Sequence, residues 1–169
     1  MMTWLEIAVL FIFWIPALIL LAVMGIHSFN IYKNSGQCIL DMQFNYSPKE
    51  AYKTLEDMGA SGREIYARLN TIDFAFIFFF YPALAFIIRL VEAEGNPGYL
   101  FLLLLLPPFC AMIADGIENI YVRKMLNKYP EKVPLVARRA NYATMTKNAL
   151  ILITVAEIFM LIVQRILNI

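Results

Sequence analysis

The chain has 169 residues and a formal net charge of +1, and 61% of its residues are hydrophobic while 16% are charged. A soluble domain typically has about 45–50% apolar and about 25% charged residues. A protein of this size cannot hide so much apolar surface from water, so we expect it to contact lipid. The small net charge excludes a nucleic-acid partner, which would need a concentrated basic face. The cysteines, Cys38 and Cys110, are predicted to be free thiols, and no cofactor is expected.

Four segments are long enough to cross a bilayer, which takes about 20 apolar residues per helix. They cover residues 4–26, 70–91, 98–121 and 146–167. The first has no basic leader and no small-residue cleavage site, so it is predicted to be a retained span. The predicted fold is therefore all-α: a single domain, residues 1–169, that forms a polytopic membrane four-helix bundle.

The segment between the first two spans has its own helix signals. Ser47-Pro48-Lys49-Glu50 is a capping box with proline at the first helical position. The apolar residues that follow share one helical face as far as Gly59, namely Ala51, Tyr52, Leu55 and Met58. This pattern predicts a short amphipathic helix that lies on the cytoplasmic membrane surface. A second capping box, Ser61 to Glu64, is predicted to start a helix that continues into span 2.

Prolines interrupt three of the spans, at Pro16, Pro82 and Pro107-Pro108. Each proline removes a helical hydrogen bond and permits a kink. The Pro107-Pro108 pair precedes Asp115 by about two turns. A bend there would open a cavity beside the acids of span 3, although a kink that serves packing alone is the alternative. After span 3, Tyr129-Pro130 and Pro134 mark a turn.

The distribution of basic residues predicts the orientation. Twelve of the fourteen lysines and arginines lie on one side: eleven between spans 1 and 2 or between spans 3 and 4, and Lys147 at the start of span 4. Basic residues accumulate on cytoplasmic loops. Residues 27–69 and 122–145 are therefore predicted to be cytoplasmic, and both termini are predicted to lie on the periplasmic or lumenal side.

Acidic residues inside the spans are the strongest functional signal, because charged groups in a membrane are costly. Asp115, Glu118 and Asn119 lie on one face of span 3, and Asp73 lies at the same depth on span 2. Three interpretations remain open: anchors that pair with basic residues such as Arg68, Arg123 and Lys147, a substrate or catalytic site, and a metal site. His27 ends span 1 at the same depth and would be a proton shuttle if it faced the acids. Glu157 lies near the middle of span 4, where we expect a hydrogen bond, for instance to Thr154.

These residues belong to an ordered series: Gly59-x-x-Gly62-Arg63-x-x-Tyr66, Asp73, Tyr81, Pro107 and Asp115-x-x-Glu118-Asn119. The series covers residues 47 to about 126 and resembles a pattern carried by small four-span membrane proteins. That resemblance implies the fold but no particular activity. A more limited similarity to sterol-isomerase-like membrane proteins involves a histidine and carboxylates in a membrane cavity. The order of the acids and the outward termini depart from that family, so no residue role is carried over from it.

The sequence thus predicts a carboxylate-lined cavity near the cytoplasmic leaflet. The candidate catalytic residues are Asp73, Asp115, Glu118 and His27, and the candidate ligand-binding residues are Asn119, Tyr81 and Arg63. The expected ligand is lipid-like: an isoprenoid, a sterol or a phospholipid. The alternative function is a non-catalytic assembly or accessory subunit of a membrane complex, with a membrane-protein partner or a second copy of the chain. A cation or proton pathway is the third hypothesis.

Overall fold

The computed structural model describes residues 3–92 and 98–167, and within them the fold consists of helices joined by short turns and irregular connections. The elements in chain order are α1 (Trp4–Ser35), a 3-10 turn (Leu40–Met42), α2 (Pro48–Asp57), α3 (Gly59–Val91), α4 (Gly98–Leu104), α5 (Leu106–Lys128) and α6 (Pro134–Leu167). The predicted all-α class is confirmed. The predicted loop between spans 2 and 3 falls on residues 93–97, which lie outside the described residues.

Within residues 3–92 and 98–167, four helices are long and apolar enough to cross a membrane: Glu6–Ser35, Gly59–Val91, Gly98–Lys128 and Pro134–Leu167. They contain 30 to 34 residues each, whereas a span requires only about 20. The additional turns lie at one end of the bundle, formed by residues 27–69 and 122–145. We call this the α2 end. The segments that connect the predicted spans at this end are therefore largely helical, in agreement with the predicted amphipathic helix and the helix predicted to continue into span 2.

Neighbouring long helices run antiparallel. Along α3 and α5, Asn70 meets Asn119 while Tyr81, further along α3, meets Asp115, which comes earlier on α5. The α5 and α6 helices are also antiparallel, because Glu118 lies beside Thr144 while Asp115, earlier on α5, lies beside Lys147, later on α6. The α1 helix packs mainly on α3, where the rings of Trp14 and Phe80 meet edge to face with their centroids 6.3 Å apart.

The main hydrophobic core lies at the α2 end. It joins the turn, α2 and the extensions of the long helices, and it includes Ile31, Leu40, Tyr52, Leu55, Leu69, Val122, Met125 and Ala137. The amphipathic helix predicted from the capping box is present as α2, and its apolar face contacts α3 and α6. Because Ala51 and Leu55 are fully buried, that face is covered by protein rather than left free for lipid.

Local signals explain the junction between α2 and α3. Ser47 accepts from the Glu50 N–H, and the Glu50 carboxylate accepts from the Ser47 N–H, as the capping box predicts. Gly59 ends α2 with a φ of 66°, which an L side chain rarely adopts. The predicted second cap at Ser61 is wrong, because α3 already begins at Gly59 and Ser61 lies inside its first turn. A Cβ on Gly62 would lie 2.8 Å from the Met58 Cβ, so the tight approach at this junction requires a glycine there.

The prolines have different effects on their helices. The α1 and α3 helices continue through Pro16 and Pro82. The third span is interrupted at Leu105, between α4 and α5, because Pro107 and Pro108 have no N–H to bond the carbonyls one turn earlier. The two prolines then occupy the first turn of α5, where a missing N–H costs nothing.

Candidate functional site

A buried lysine connects two of the predicted acids. Lys147 of α6 is 7% exposed, and its Nζ donates to Asp115 Oδ1 at 3.1 Å. The same ammonium is in ion-pair contact with Glu118 Oε2. The remaining oxygens also have donors, since Tyr81 OH lies 3.0 Å from Asp115 Oδ2 and Thr144 Oγ1 lies 2.6 Å from Glu118 Oε1. All four carboxylate oxygens of Asp115 and Glu118 are therefore engaged within the protein.

The helical register brings these groups together. Asp115 and Glu118 are three residues apart on α5, so they project toward the same neighbour, as the sequence predicted. On α6, Ala140, Thr144 and Lys147 form a buried stripe with the spacing of a helix face. Lys147 was expected only as one of several pairing partners. The sequence feature that indicates its role is its position: Lys147 continues the stripe of Ala140 and Thr144 into the apolar part of α6.

Asp73 is held by a separate chain of amide hydrogen bonds. Arg123 Nε donates to Asn70 Oδ1 at 2.9 Å, and Asn70 Nδ2 donates to Asn119 Oδ1 at 3.1 Å. Asn119 Nδ2 in turn donates to Asp73 Oδ2. Each amide has one orientation that satisfies both of its neighbours. This series of hydrogen bonds therefore directs an N–H of Asn119 to the carboxylate of Asp73. Asn119 is thus a partner of Asp73, and Asn70 is a component that the sequence did not single out.

A cavity of about 300 Å³ lies beside these networks, between α1, the 3-10 turn, α3, α5 and α6. Its polar lining consists of Ser28, Asp41, Asp73, Asp115, Lys147 and Asn148. Its apolar lining includes Leu21, Met24, Ile39, Phe76, Phe80 and Ile151, and Tyr81 also lines it. The structure thus brings Asp73, Asp115 and Tyr81 to one cavity, whereas Glu118 is fully buried and does not line it.

Asp41, at the centre of the 3-10 turn, is a cavity residue that sequence reasoning missed. Its Oδ1 accepts from Tyr66 OH at 2.9 Å. Burial raises the pKa of Asp41 to about 7, and the negative charge of Glu118 acts in the same direction, while Lys147 opposes both. The available signal was weak: one acid between Leu40 and Met42, inside a short apolar stretch of the connection between α1 and α2.

The break in the third span forms a second, apolar cavity. It measures about 220 Å³ and is lined by Tyr81, Pro82, Ala85, Leu105, Pro108, Phe109 and Met112. This agrees with the prediction that the Pro107-Pro108 bend opens space beside the acids. Tyr81 lines both cavities and donates its hydroxyl hydrogen to Asp115 between them. The aromatic run of α3 divides by face, because Phe76 and Phe80 line the larger cavity while Phe74 and Phe78 are exposed.

Three predicted residues lie apart from these networks. His27 is exposed on α1, and the neighbouring Ser28 is the buried residue that lines the cavity. Arg63 donates to the Leu55 carbonyl oxygen at 2.7 Å, and its guanidinium lies 4.1 Å from the centroid of the Tyr129 ring. Arg63 therefore joins α2 to α3 and to the end of α5. The expected bond between Thr154 and Glu157 is absent, because Thr154 donates to the Leu150 carbonyl oxygen instead.

The basic residues considered as pairing partners behave differently from one another. Arg68 pairs with Glu64 on the exposed face of α3, and Arg123 donates to the side chains of Asn70 and Thr71. Lys147 pairs with Asp115 and Glu118. Within residues 3–92 and 98–167, no group of three or more His, Cys, Asp or Glu side chains is arranged to hold a metal ion.

The described part of the chain defines the class of protein: a helical bundle with four helices long and apolar enough to cross a membrane, as in a multi-pass membrane protein. No protein family, curated protein or solved structure matches the chain.

Proposed function

We propose that this protein binds, or binds and processes, a lipid-like ligand in the cavity between α1, α3, α5 and α6. The observation that carries the proposal is the composition of the cavity wall. Carboxylates and a lysine line one part, and aliphatic and aromatic side chains line the rest. A cavity with a few convergent polar groups on an apolar surface is the usual form of a small-molecule site, and about 300 Å³ is the lower end of the usual size. An amphiphile matches both parts of this wall.

The α2 end is proposed to face the cytoplasm, with both termini on the periplasmic or lumenal side. The cavity would then lie at the level of the inner leaflet, where a membrane lipid has its head group. Gly25 and Met42 line the cavity and are exposed residues, so a ligand would enter near the junction of α1 and the 3-10 turn. The α2 helix, proposed to lie at the membrane interface, would support this junction from the polar side.

The acids differ in their hydrogen-bond and ion-pair partners, and we propose different roles for them. Asp115 and Glu118 share Lys147, so we propose that they hold α5 and α6 in register and position the ammonium at the cavity wall. Asp73 has one oxygen bonded to Asn119 and lines the cavity, so we propose that it contacts the ligand. Tyr81 lines both cavities and donates a hydrogen bond to Asp115. His27 and Arg63 keep their sequence-based assignments only as predictions, and the proposed site does not require them.

A cavity-filling substitution tests the proposal. Gly25 lines the cavity, and a Cβ built there meets no atom within 4 Å, so Gly25→Leu adds a side chain without a backbone clash. Leucine also favours the helix over glycine by roughly 0.8–1 kcal/mol. We expect Gly25→Leu to keep or raise the melting temperature and to remove lipid that co-purifies with the protein, measured by mass spectrometry of the detergent-solubilised sample.

Gly116→Leu is the matched control. Gly116 lies on α5 outside the cavity lining, and a Cβ there also meets no atom within 4 Å. We expect this variant to keep the co-purifying lipid. Equal lipid content in the wild type and both variants would reject the cavity as the binding site.

The alternative, a non-catalytic assembly or accessory subunit, is favoured by a different observation. Only 6% of the residues are buried in the most apolar 18-residue stretch of α1, whereas 28% are buried in the corresponding stretch of α3. Much of α1 is therefore available to another membrane helix as well as to lipid. Under this alternative the lysine network serves only helix register, and Gly25→Leu would leave the lipid content unchanged while substitutions of Lys147 would still destabilise the bundle.

A further inference from the structure

The polar part of the cavity contains groups that the protein itself leaves without partners. Asp73 and Ser28 are each 5% exposed and line the cavity. Asp73 Oδ2 accepts from Asn119, but neither Asp73 Oδ1 nor the Ser28 hydroxyl has a hydrogen-bond partner among the described residues. A serine inside a helix can bond its hydroxyl to a carbonyl one turn earlier, but Ser28 does not. Both side chains are largely buried and both line the cavity, so a molecule bound in the cavity can supply the partners that the protein does not.

The charges around these groups are unbalanced toward the negative. Asp41, Asp73 and Asp115 line the cavity, and Lys147 is the cationic residue in its lining. Lys147 is already shared by Asp115 and Glu118, and Arg123 is directed to Asn70 and Thr71. Within the described part of the chain, Asp41 and Asp73 thus have no ion-pair partner. A cation placed between them would supply the missing charge and hydrogen bonds.

The apolar wall indicates what kind of cation fits. Phe76 and Phe80 line the cavity and stack with their ring centroids 4.8 Å apart, and the faces of aromatic rings attract ammonium groups. A hydrated metal ion would instead require several oxygen ligands in a compact shell, which the described residues do not form. Aliphatic residues on α1 and α6, such as Leu21 and Ile151, continue the wall away from the acids. The wall thus suits an ammonium that carries a hydrocarbon chain.

We propose that the cavity selects an amphiphile with a cationic amine head, whose ammonium lies between Asp41 and Asp73 and whose hydrocarbon chain follows Phe76 and Phe80. This inference rests on the proposed function, because it assumes that the cavity binds a lipid-like ligand. It adds the head-group class. Ser28 accepts from the ammonium, and Asn119 positions the Asp73 carboxylate.

Three probes that share an eight-carbon hydrocarbon chain test this inference: octylamine, octanol and octanoate. Titration calorimetry on the intact protein in a non-ionic detergent would measure their affinities. We expect octylamine to bind at least about tenfold more tightly than octanol, because hydrogen bonds between charged groups are stronger than those of a neutral hydroxyl, and octanoate to bind least. Asp73→Asn and Asp41→Asn should each lower the ratio of octylamine affinity to octanol affinity by roughly tenfold. Glu157→Gln changes an acid outside the cavity lining and should leave this ratio unchanged.

The outcomes separate this inference from the proposed function. If octanol or octanoate binds as tightly as octylamine, and Gly25→Leu abolishes that binding, the amine inference is overturned and lipid binding stands. If no probe binds, or Gly25→Leu does not reduce binding, both are overturned. Because an aspartate variant can fail to fold, each variant is compared by its melting curve, and Gly25→Leu supplies the same test with the acids intact.

Discussion

At the scale of single residues, the main result is that the acids near one end of the bundle are not equivalent. Every carboxylate oxygen of Asp115 and Glu118 has a hydrogen bond or an ion-pair contact, with Lys147, Tyr81 and Thr144 as the partners. Asp41 and Asp73 line the cavity and have incomplete partners. The first pair has the geometry of a structural element, and the second pair has the geometry of a binding element.

Removing the buried ammonium should therefore be far more harmful than removing a cavity acid. Lys147→Met would leave Asp115 and Glu118 without their shared cation, and breaking a buried ion pair typically costs about 3–5 kcal/mol. We expect a loss of unfolding free energy of this order, measured by denaturant titration in detergent. Asp73→Asn, which removes negative charge and preserves shape, should cost about 1 kcal/mol or less.

Lys124→Met is the control for Lys147→Met, because Lys124 is an exposed lysine on α5. It should change the unfolding free energy by less than about 0.5 kcal/mol. Similar losses in the two lysine variants would show that the buried network contributes nothing specific. Adding Glu118→Gln to Lys147→Met should restore part of the loss, because one uncompensated carboxylate is then neutral.

Asp41 makes stability depend on pH with a defined sign. Its pKa is about 7 in the folded protein against an ordinary value of 3.8. The folded state therefore binds this proton more tightly than the unfolded state does. Its contribution to stability is present at low pH, decreases as pH rises from 3.8 to about 7, and then stays constant.

We expect the melting temperature of the wild type to fall as pH is raised through this window, and Asp41→Asn to show a shallower fall, measured by thermal unfolding at a series of pH values. Glu56→Gln, at an exposed position on α2, should retain the slope of the wild type. A variant at position 41 with an unchanged slope would mean that Asp41 does not titrate in this range.

At the scale of elements, α2 is the helix whose environment is most informative. Its capping box and amphipathic pattern are local, and both appear as predicted. The apolar face is buried against the helix extensions, and Tyr52 OH accepts from the Val133 N–H at 2.7 Å. Arg63 further ties the end of α2 to α3 and Tyr129. The α2 helix is thus part of the hydrophobic core of the α2 end.

Truncating this face should destabilise the bundle. Leu55 is fully buried, and Leu→Ala at such a site typically costs about 2–5 kcal/mol. We expect Leu55→Ala to lower the unfolding free energy by this amount, while Lys53→Ala on the exposed face of α2 stays within about 0.5 kcal/mol of the wild type. If α2 used Leu55 to contact lipid instead, Leu55→Ala would leave the unfolding of the purified protein in detergent nearly unchanged.

At the scale of the whole molecule, the charge distribution and the fold point to the same end of the bundle. The α2 end carries the basic segments on which the predicted orientation rests, and the cavity adjoins this end, where Ser28, Ile39, Asp41 and Met42 line it. Burial of Lys147 leaves eleven of the twelve basic residues to support the orientation, against two on the other side. The bias therefore does not depend on the lysine that the site uses.

Cysteine labelling tests this orientation. In a variant that lacks the two exposed cysteines, Cys38 and Cys110, a single cysteine is placed at Glu131 or at Asn96. We expect Glu131→Cys to react with an impermeant reagent only from the cytoplasmic side, and Asn96→Cys only from the opposite side. The reverse labelling would invert the bundle and move the proposed cavity to the outer leaflet.

Local features of the sequence determined the parts of this structure that depend on nearby residues. Hydrophobic length predicts four spanning helices, Ser47 and Glu50 predict the start of α2, and Gly59 predicts its end. The Pro107-Pro108 pair predicts an interrupted third span. The spacing of Asp115, Glu118 and Asn119 also predicts their common face. In each case the cause lies within one helix or at its ends, so no knowledge of the packing is required.

Which side chains meet depends on how the helices pack against one another. Tyr66 bonds to Asp41 across 25 positions, and Lys147 bonds to Asp115 across 32. His27 is exposed while Ser28 beside it is buried. Neighbouring residues on a helix point about 100° apart, so the rotation of α1 about its axis decides which of them faces the cavity. That rotation is set by packing against α3, and periodicity within an almost uniformly apolar helix carries no signal of it.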